Sequence, residues 1–134
     1  MIADKRVLSV IIADPLADGI IPIMRVPTGH QFTIEAANAS ADADLAASTA
    51  DFASLTLYNA GTDGLQTDAI SNAIGGTPGW AKNVAKAFTV VDGSGKLTAG
   101  QWLAVKYDEE GTVALGHTTV CVEYVDGIGA NANA

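Results

Sequence analysis

The sequence predicts an all-β fold, a β-sandwich or jelly roll of about seven or eight strands with one long irregular loop. Three observations point there. Apolar residues fall in short runs separated by Gly, Pro and Asp, several segments alternate apolar and polar residues with a period of two, and turn residues recur between them. The 134 residues have the length of one domain, and no linker or internal repeat divides them, so residues 1–134 are expected to form a single sandwich. An N-terminal arm over about residues 1–6 and a flexible tail over about 126–134 flank it.

Residues 7–12 are a β-branched run that ends at Ala13, Asp14 and Pro15. Residues 20–26 follow Asp18 and Gly19 and contain Pro22, which cannot donate to a ladder and so marks an edge strand or a bulge. Residues 31–37 alternate, with Phe32, Ile34 and Ala36 on one face and Gln31, Thr33 and Glu35 on the other. The Ala-rich residues 40–52, with Asp42 as a candidate N-cap, fit either one or two helical turns or a loop.

Residues 54–59 set Leu55 and Leu57 against Thr56 and Tyr58, and residues 61–64 close that strand. The span 65–80 is the least regular, a long surface excursion through Gly75, Gly76, Pro78 and Gly79 with Trp80 pinning its end. Residues 84–91 regain strand character before the turn at 92–95. In residues 101–107 Leu103, Val105 and Tyr107 oppose Trp102, Ala104 and Lys106, and Asp108 to Gly111 read as an acidic turn. Last, residues 117–125 place Val120, Val122 and Tyr124 opposite Thr119, Cys121 and Glu123.

A net charge of −8, from 15 acidic and 7 basic residues, argues against a surface that neutralises phosphates, and so against nucleic-acid partners and anionic membranes. Apolar residues make up 49%, well above the composition of a disordered chain, although 24 of them are Ala, which buries little area each. No run approaches the roughly 20 apolar residues of a membrane helix. Lys5 and Arg6 ahead of residues 7–12 imitate a signal peptide, but that apolar run stops short of the roughly 7–15 residues of an h-region. A soluble chain that keeps its N-terminus is expected.

The search for chemistry returns plain residues. Asp42-Ala43-Asp44 has two ligand spacings of a calcium loop but lacks its third ligand and its Gly, and the carboxylates at 108–110 suit a solvated turn. His30, His117 and Cys121 are too few and too scattered for zinc. Ser94 between Gly93 and Gly95 lacks the spacing of a nucleophile elbow, and Gly95-Lys96 lacks the rest of a phosphate-binding loop. The single Cys121 forms no internal disulfide and, among Val and Thr, reads as a packed thiol. Trp80 and Trp102 read as core residues rather than as a sugar platform. The chain is expected to have no catalytic residues, metal or cofactor.

A longer constellation is familiar: Arg25-Val26-Pro27-Thr28-Gly29-His30-Gln31-Phe32-Thr33-Ile34-Glu35-Ala36-Ala37, residues 52–58, the Ile74-Gly75-Gly76 to Trp80 loop, residues 97–103, and Tyr107-Asp108-Glu109-Glu110-Gly111-Thr112-Val113. In these the chain resembles the small acidic proteins found beside capsid genes in tailed phages, several of which decorate or cement the head. The resemblance implies a jelly-roll-like cement protein, usually a homotrimer, on the outer face of the virion. It would bind the major capsid protein at three-fold or quasi-three-fold positions. Contacts in such proteins come from termini and one end of the sandwich, which here implies Met1, Ile2, Lys5 and Arg6. Ile20, Ile21 and Ile23, in a run apolar on both faces, are candidates for subunit contacts, and a central strand of a single sandwich explains them as well. The alternative function is a carbohydrate-binding or adhesive module, which predicts an exposed platform containing Trp80 or Tyr58.

Overall fold

The computed structural model describes residues 4–13, 18–48, 50–75, 79–91, 93–111 and 115–128. The expected turn at Asp14 and Pro15, the loop at Gly76 and Pro78, and the tail beyond residue 128 lie outside them, as do Met1 and Ile2. Among the described residues twelve strands follow one another: β1 (Asp4–Ile12), β2 (Gly19–Arg25), β3 (His30–Ala41), β4 (Leu45–Ala46), β5 (Phe52–Asn59), β6 (Asp68–Ala69), β7 (Ile74–Gly75), β8 (Gly79–Trp80), β9 (Lys86–Phe88), β10 (Lys96–Thr98), β11 (Trp102–Glu110) and β12 (Thr118–Ile128). There is no helix among the described residues.

All pairings are antiparallel and build two five-stranded sheets. The first runs β1-β12-β3, with β10 and β9 one after the other along the far side of β3. The second runs β2-β11-β5, with β6 and β7 likewise along β5. A small third pair, β4 with β8, sets Leu45 opposite Trp80. One apolar cluster joins the two large sheets: Phe32, Ile34, Leu97, Val120 and Val122 from the first, and Leu55, Leu57, Leu103, Val105 and Tyr107 from the second. The period-two alternation read in β5, β11 and β12 is the reason these side chains share one interior, and the chain is a β-sandwich.

On one side the sandwich is stitched shut by backbone bonds. Ile70 N–H donates to Leu57 O (2.9 Å), Val91 N–H to Ile70 O (2.8 Å) and Asn72 N–H to Thr89 O (3.1 Å), and Ser71 bridges Val90. The buried Ser71 hydroxyl accepts from Leu57 N–H and donates to Asn72 O. Because β6 and β7 edge one sheet here, and β9 and β10 the other, the remaining edges, β1 and β2, share the opposite side.

Several expectations need correction. Residues 4–6 are no arm: β1 starts at Asp4 and pairs with β12 through Asp126. Likewise β12 continues to Ile128 opposite His30, so the tail begins later than residue 126. In β3 a bulge at Glu35 shifts the alternation, so that Ala37, Ala39 and Ala41 are buried instead of Ala36. The 40–52 segment holds the end of β3 and the two-residue β4 instead of a helical turn. Asp108, Glu109 and Glu110 are not a turn but the last residues of β11, paired with Ser54, Ala53 and Phe52. Trp102 faces away from Leu103 and the core, half-buried on the outer surface of the second sheet.

Candidate interaction surface

The side bounded by β1 and β2 carries most of the expected contact residues. Pairing with β12 sets Leu8, Val10 and Ile12 toward the core, opposite Val122, Val120 and Thr118. Their neighbours Val7 and Ile11 consequently face solvent, 64% and 69% exposed. In β2 the register with β11 slips between Leu103 and Ala104, leaving Ile23 as the extra residue of a bulge. Ile21 and Ile23 pack against the core together with Met24, whereas Ile20, opposite Lys106, lies on the outer face. The three isoleucines therefore split between interior and surface. The partly buried apolar side chains of the core include Leu8, Val10, Ile21, Ile23 and Met24 along this side.

Lys5 and Arg6 sit at one end of β1. Lys5 Nζ lies 3.5 Å from Glu35 Oε1, and Arg6 Nε lies 3.6 Å from Asp126 Oδ2. Asp126 is 9% exposed in its side chain and also contacts His30 Nδ1 at 2.7 Å, so it ties β1 to the start of β3 through β12. Arg25 ends β2, its guanidinium beside Gly100 ahead of β11, and the short 26–29 connection returns the chain to His30. The other end of the same side is acidic. Asp18 Oδ1 accepts from Glu109 N–H at 2.8 Å, which brings Asp18 beside Asp108 and Glu109 where β2 begins and β11 ends. Burial raises the pKa of Asp108 above 3.8, the Asp18 charge and a hydrogen bond with Asp18 add to the rise, and Lys106 opposes it.

The other candidate residues do not converge. Trp80 is buried, its Nε1 donates to Ala53 O at 2.9 Å, and Lys86 Nζ lies 5.8 Å over its ring. Its expected role as the pin of the irregular loop follows from those contacts. Tyr58 and Trp102 are half-buried on the outer face of the second sheet, where the turn at Gly64 lies beside Pro22 and Trp102. Cys121 is half-buried on the outer face of the first sheet, its Sγ 3.2 Å from Ser9 Oγ. His117 is exposed just before β12, apart from His30. Among the described residues no three His, Cys, Asp or Glu side chains are grouped to hold a metal ion, and no helix is long and apolar enough to cross a membrane.

The sequence does not show the acidic end as one feature, because Asp18 precedes β2 while Asp108 and Glu109 end β11, and only the fold brings them together. No protein-family model matches the chain, and no curated protein matches it in sequence.

Proposed function

We propose that the chain is a structural protein of a phage virion, a decoration or cement protein that binds the outer surface of the head and strengthens contacts between major capsid protein capsomers. The observation that carries this reading is the row order of the sandwich. With β9 and β10 counted as one row and β6 and β7 as another, the rows run β1-β12-β3-(β9/β10) over β2-β11-β5-(β6/β7). The chain alternates between the sheets in the manner of a jelly roll, an architecture used by viral capsid and lectin domains. That supports the jelly-roll part of the sequence resemblance, and the apolar β1–β2 side supports a role in binding other protein surfaces. Repetition over a symmetric shell lets many weak contacts act together.

The adhesive alternative relies on aromatic platforms. Trp80 is committed to the interior, which leaves Tyr58 and Trp102 as the only aromatics of that reading, both half-buried. One experiment separates the two. The purified chain is mixed with expanded empty phage heads stripped of decoration and sedimented, and in parallel passed over immobilised glycans. Saturable co-sedimentation without glycan retention is the expected result. A chain that stays in the supernatant yet is held by glycans refutes the cement reading.

A further inference from the structure

We propose that β1 pairs antiparallel with β1 of a second copy of this chain, across a two-fold axis at Ser9, so that the first sheets of two copies become one continuous sheet. Sheet edges expose unpaired N–H and C=O groups that template association, and proteins blunt them with short strands, Pro, bulges or charge. Three of the four edge rows are blunted in these ways. The β2 edge has Pro22 and the bulge at Ile23, β6 and β7 have two residues each, and β9 and β10 have three each, with Lys86 and Lys96.

The β1 edge differs in its length and regularity, and its charges, Asp4, Lys5 and Arg6, are confined to its first three residues. It is nine residues long and pairs with β12 without a bulge, and residues 7–12 contain no charge, Pro or Gly. Val7 and Ile11 add exposed β-branched side chains. Such an edge is an aggregation hazard unless a partner strand covers it.

A second copy is the occupant that fits. About an axis at Ser9, Val7 faces the partner's Ile11 and Leu8 faces the partner's Val10, so apolar side chains meet on both faces and the smallest one sits at the axis. Charge selects the two-fold. Residues 5–13 and 19–25 hold no acidic residue; Lys5 and Arg6 lie at one end of β1, balanced by Glu35 and Asp126 and following Asp4, while Asp18, Asp108 and Glu109 gather at the other end of this side. Antiparallel pairing sets each acidic end beside the partner's charge-balanced Lys5–Arg6 end instead of its acidic end. It also keeps the Ile12 ends of the two β1 strands about 20 Å apart at about 3.4 Å per residue, well beyond the Debye length of about 8 Å. Three copies with this side along a three-fold axis would bring like ends together. Lys5 and Arg6 already contact Glu35 and Asp126, so they orient the pair rather than drive it.

The test uses the full chain. Sedimentation equilibrium should give twice the 13.6 kDa chain mass. Val7→Lys with Ile11→Lys, at positions already exposed, should leave the fold intact and raise the dimer Kd by about tenfold or more. Ser9→Cys in a Cys121→Ser background should give a disulfide-linked dimer on mild oxidation, because facing Cα atoms at the axis are about 4.5–5.5 Å apart. Val7→Cys in the same background should not, since the two Val7 positions are about 14 Å apart along the strands. A three-chain mass, a single-chain mass at every concentration, an unchanged Kd in the double lysine variant, or equal cross-linking at positions 7 and 9 overturns the proposal. Head binding does not enter these readouts, so the two proposals fail separately.

Discussion

Gly75→Ala probes how the irregular half of the chain is locked to the sandwich. Gly75 has φ of 106°, outside the regions open to residues with a Cβ, and pairs with Ser54 on β5. A Cβ there would fall on the Ala53 carbonyl oxygen and 2.6 Å from Trp80 Nε1, the two atoms joined by the indole hydrogen bond. Alanine therefore forces either the backbone of β7 off β5 or the indole off Ala53. Backbone strain contributes about 1–3 kcal/mol. Losing the bond while the buried indole N–H keeps no acceptor contributes about 1–3 kcal/mol more. The expected loss is about 2–6 kcal/mol, a large part of the roughly 5–15 kcal/mol typical of a domain. Urea unfolding followed by tryptophan fluorescence measures it, with Trp80→Phe as the comparison that removes the donor and keeps most of the ring. Trp80→Phe should cost less than Gly75→Ala, because it leaves the backbone at 75 unstrained. A Gly75→Ala variant within about 0.5 kcal/mol of the parent would refute the reasoning.

Three further predictions concern polar and apolar balance. Thr118 Oγ1 is buried without a hydrogen-bond partner among the described residues, so Thr118→Val, nearly isosteric, should raise stability by about 1–2 kcal/mol in the same urea titration. Asp108 holds its proton to higher pH when folded than when unfolded, so stability falls as pH rises from 3.8 through the raised value; Asp108→Asn should therefore raise Tm at neutral pH, and the gain should fade toward pH 3.8. Ile23→Asp, which puts a charge against the core, should cost about 2–4 kcal/mol, whereas Ile20→Asp, beside Lys106 on the outer face, should stay within about 1 kcal/mol of the parent by thermal unfolding.

Legibility in the sequence followed the length and regularity of each strand. The alternation in residues 54–59, 101–107 and 117–125 named the inward side chains of β5, β11 and β12, because a period of two leaves no choice of face. The bulge at Glu35 leaves no sequence signature, so Ala36 was assigned the face that Ala37 occupies. β10 is hard to read because residues 96–99 offer only Leu97 and Ala99 as apolar residues between Gly95 and Gly100, and its place depends on β3, far away in sequence. The interaction surface was half legible. The apolar runs in residues 7–12 and 20–23 were visible, but which side chains face out depends on the pairing of β1 with β12 and on the bulge at Ile23. That the open side of β1 is unpaired among the described residues follows only from the strand order.

Amide hydrogen exchange along β1, measured on the full chain from micromolar to submillimolar concentration, tests that edge most directly. Pairing between copies predicts that the β1 amides pointing away from β12 gain protection as concentration rises, while amides on the open side of β2 stay unchanged. Exchange at those β1 amides that is fast at every concentration would contradict it.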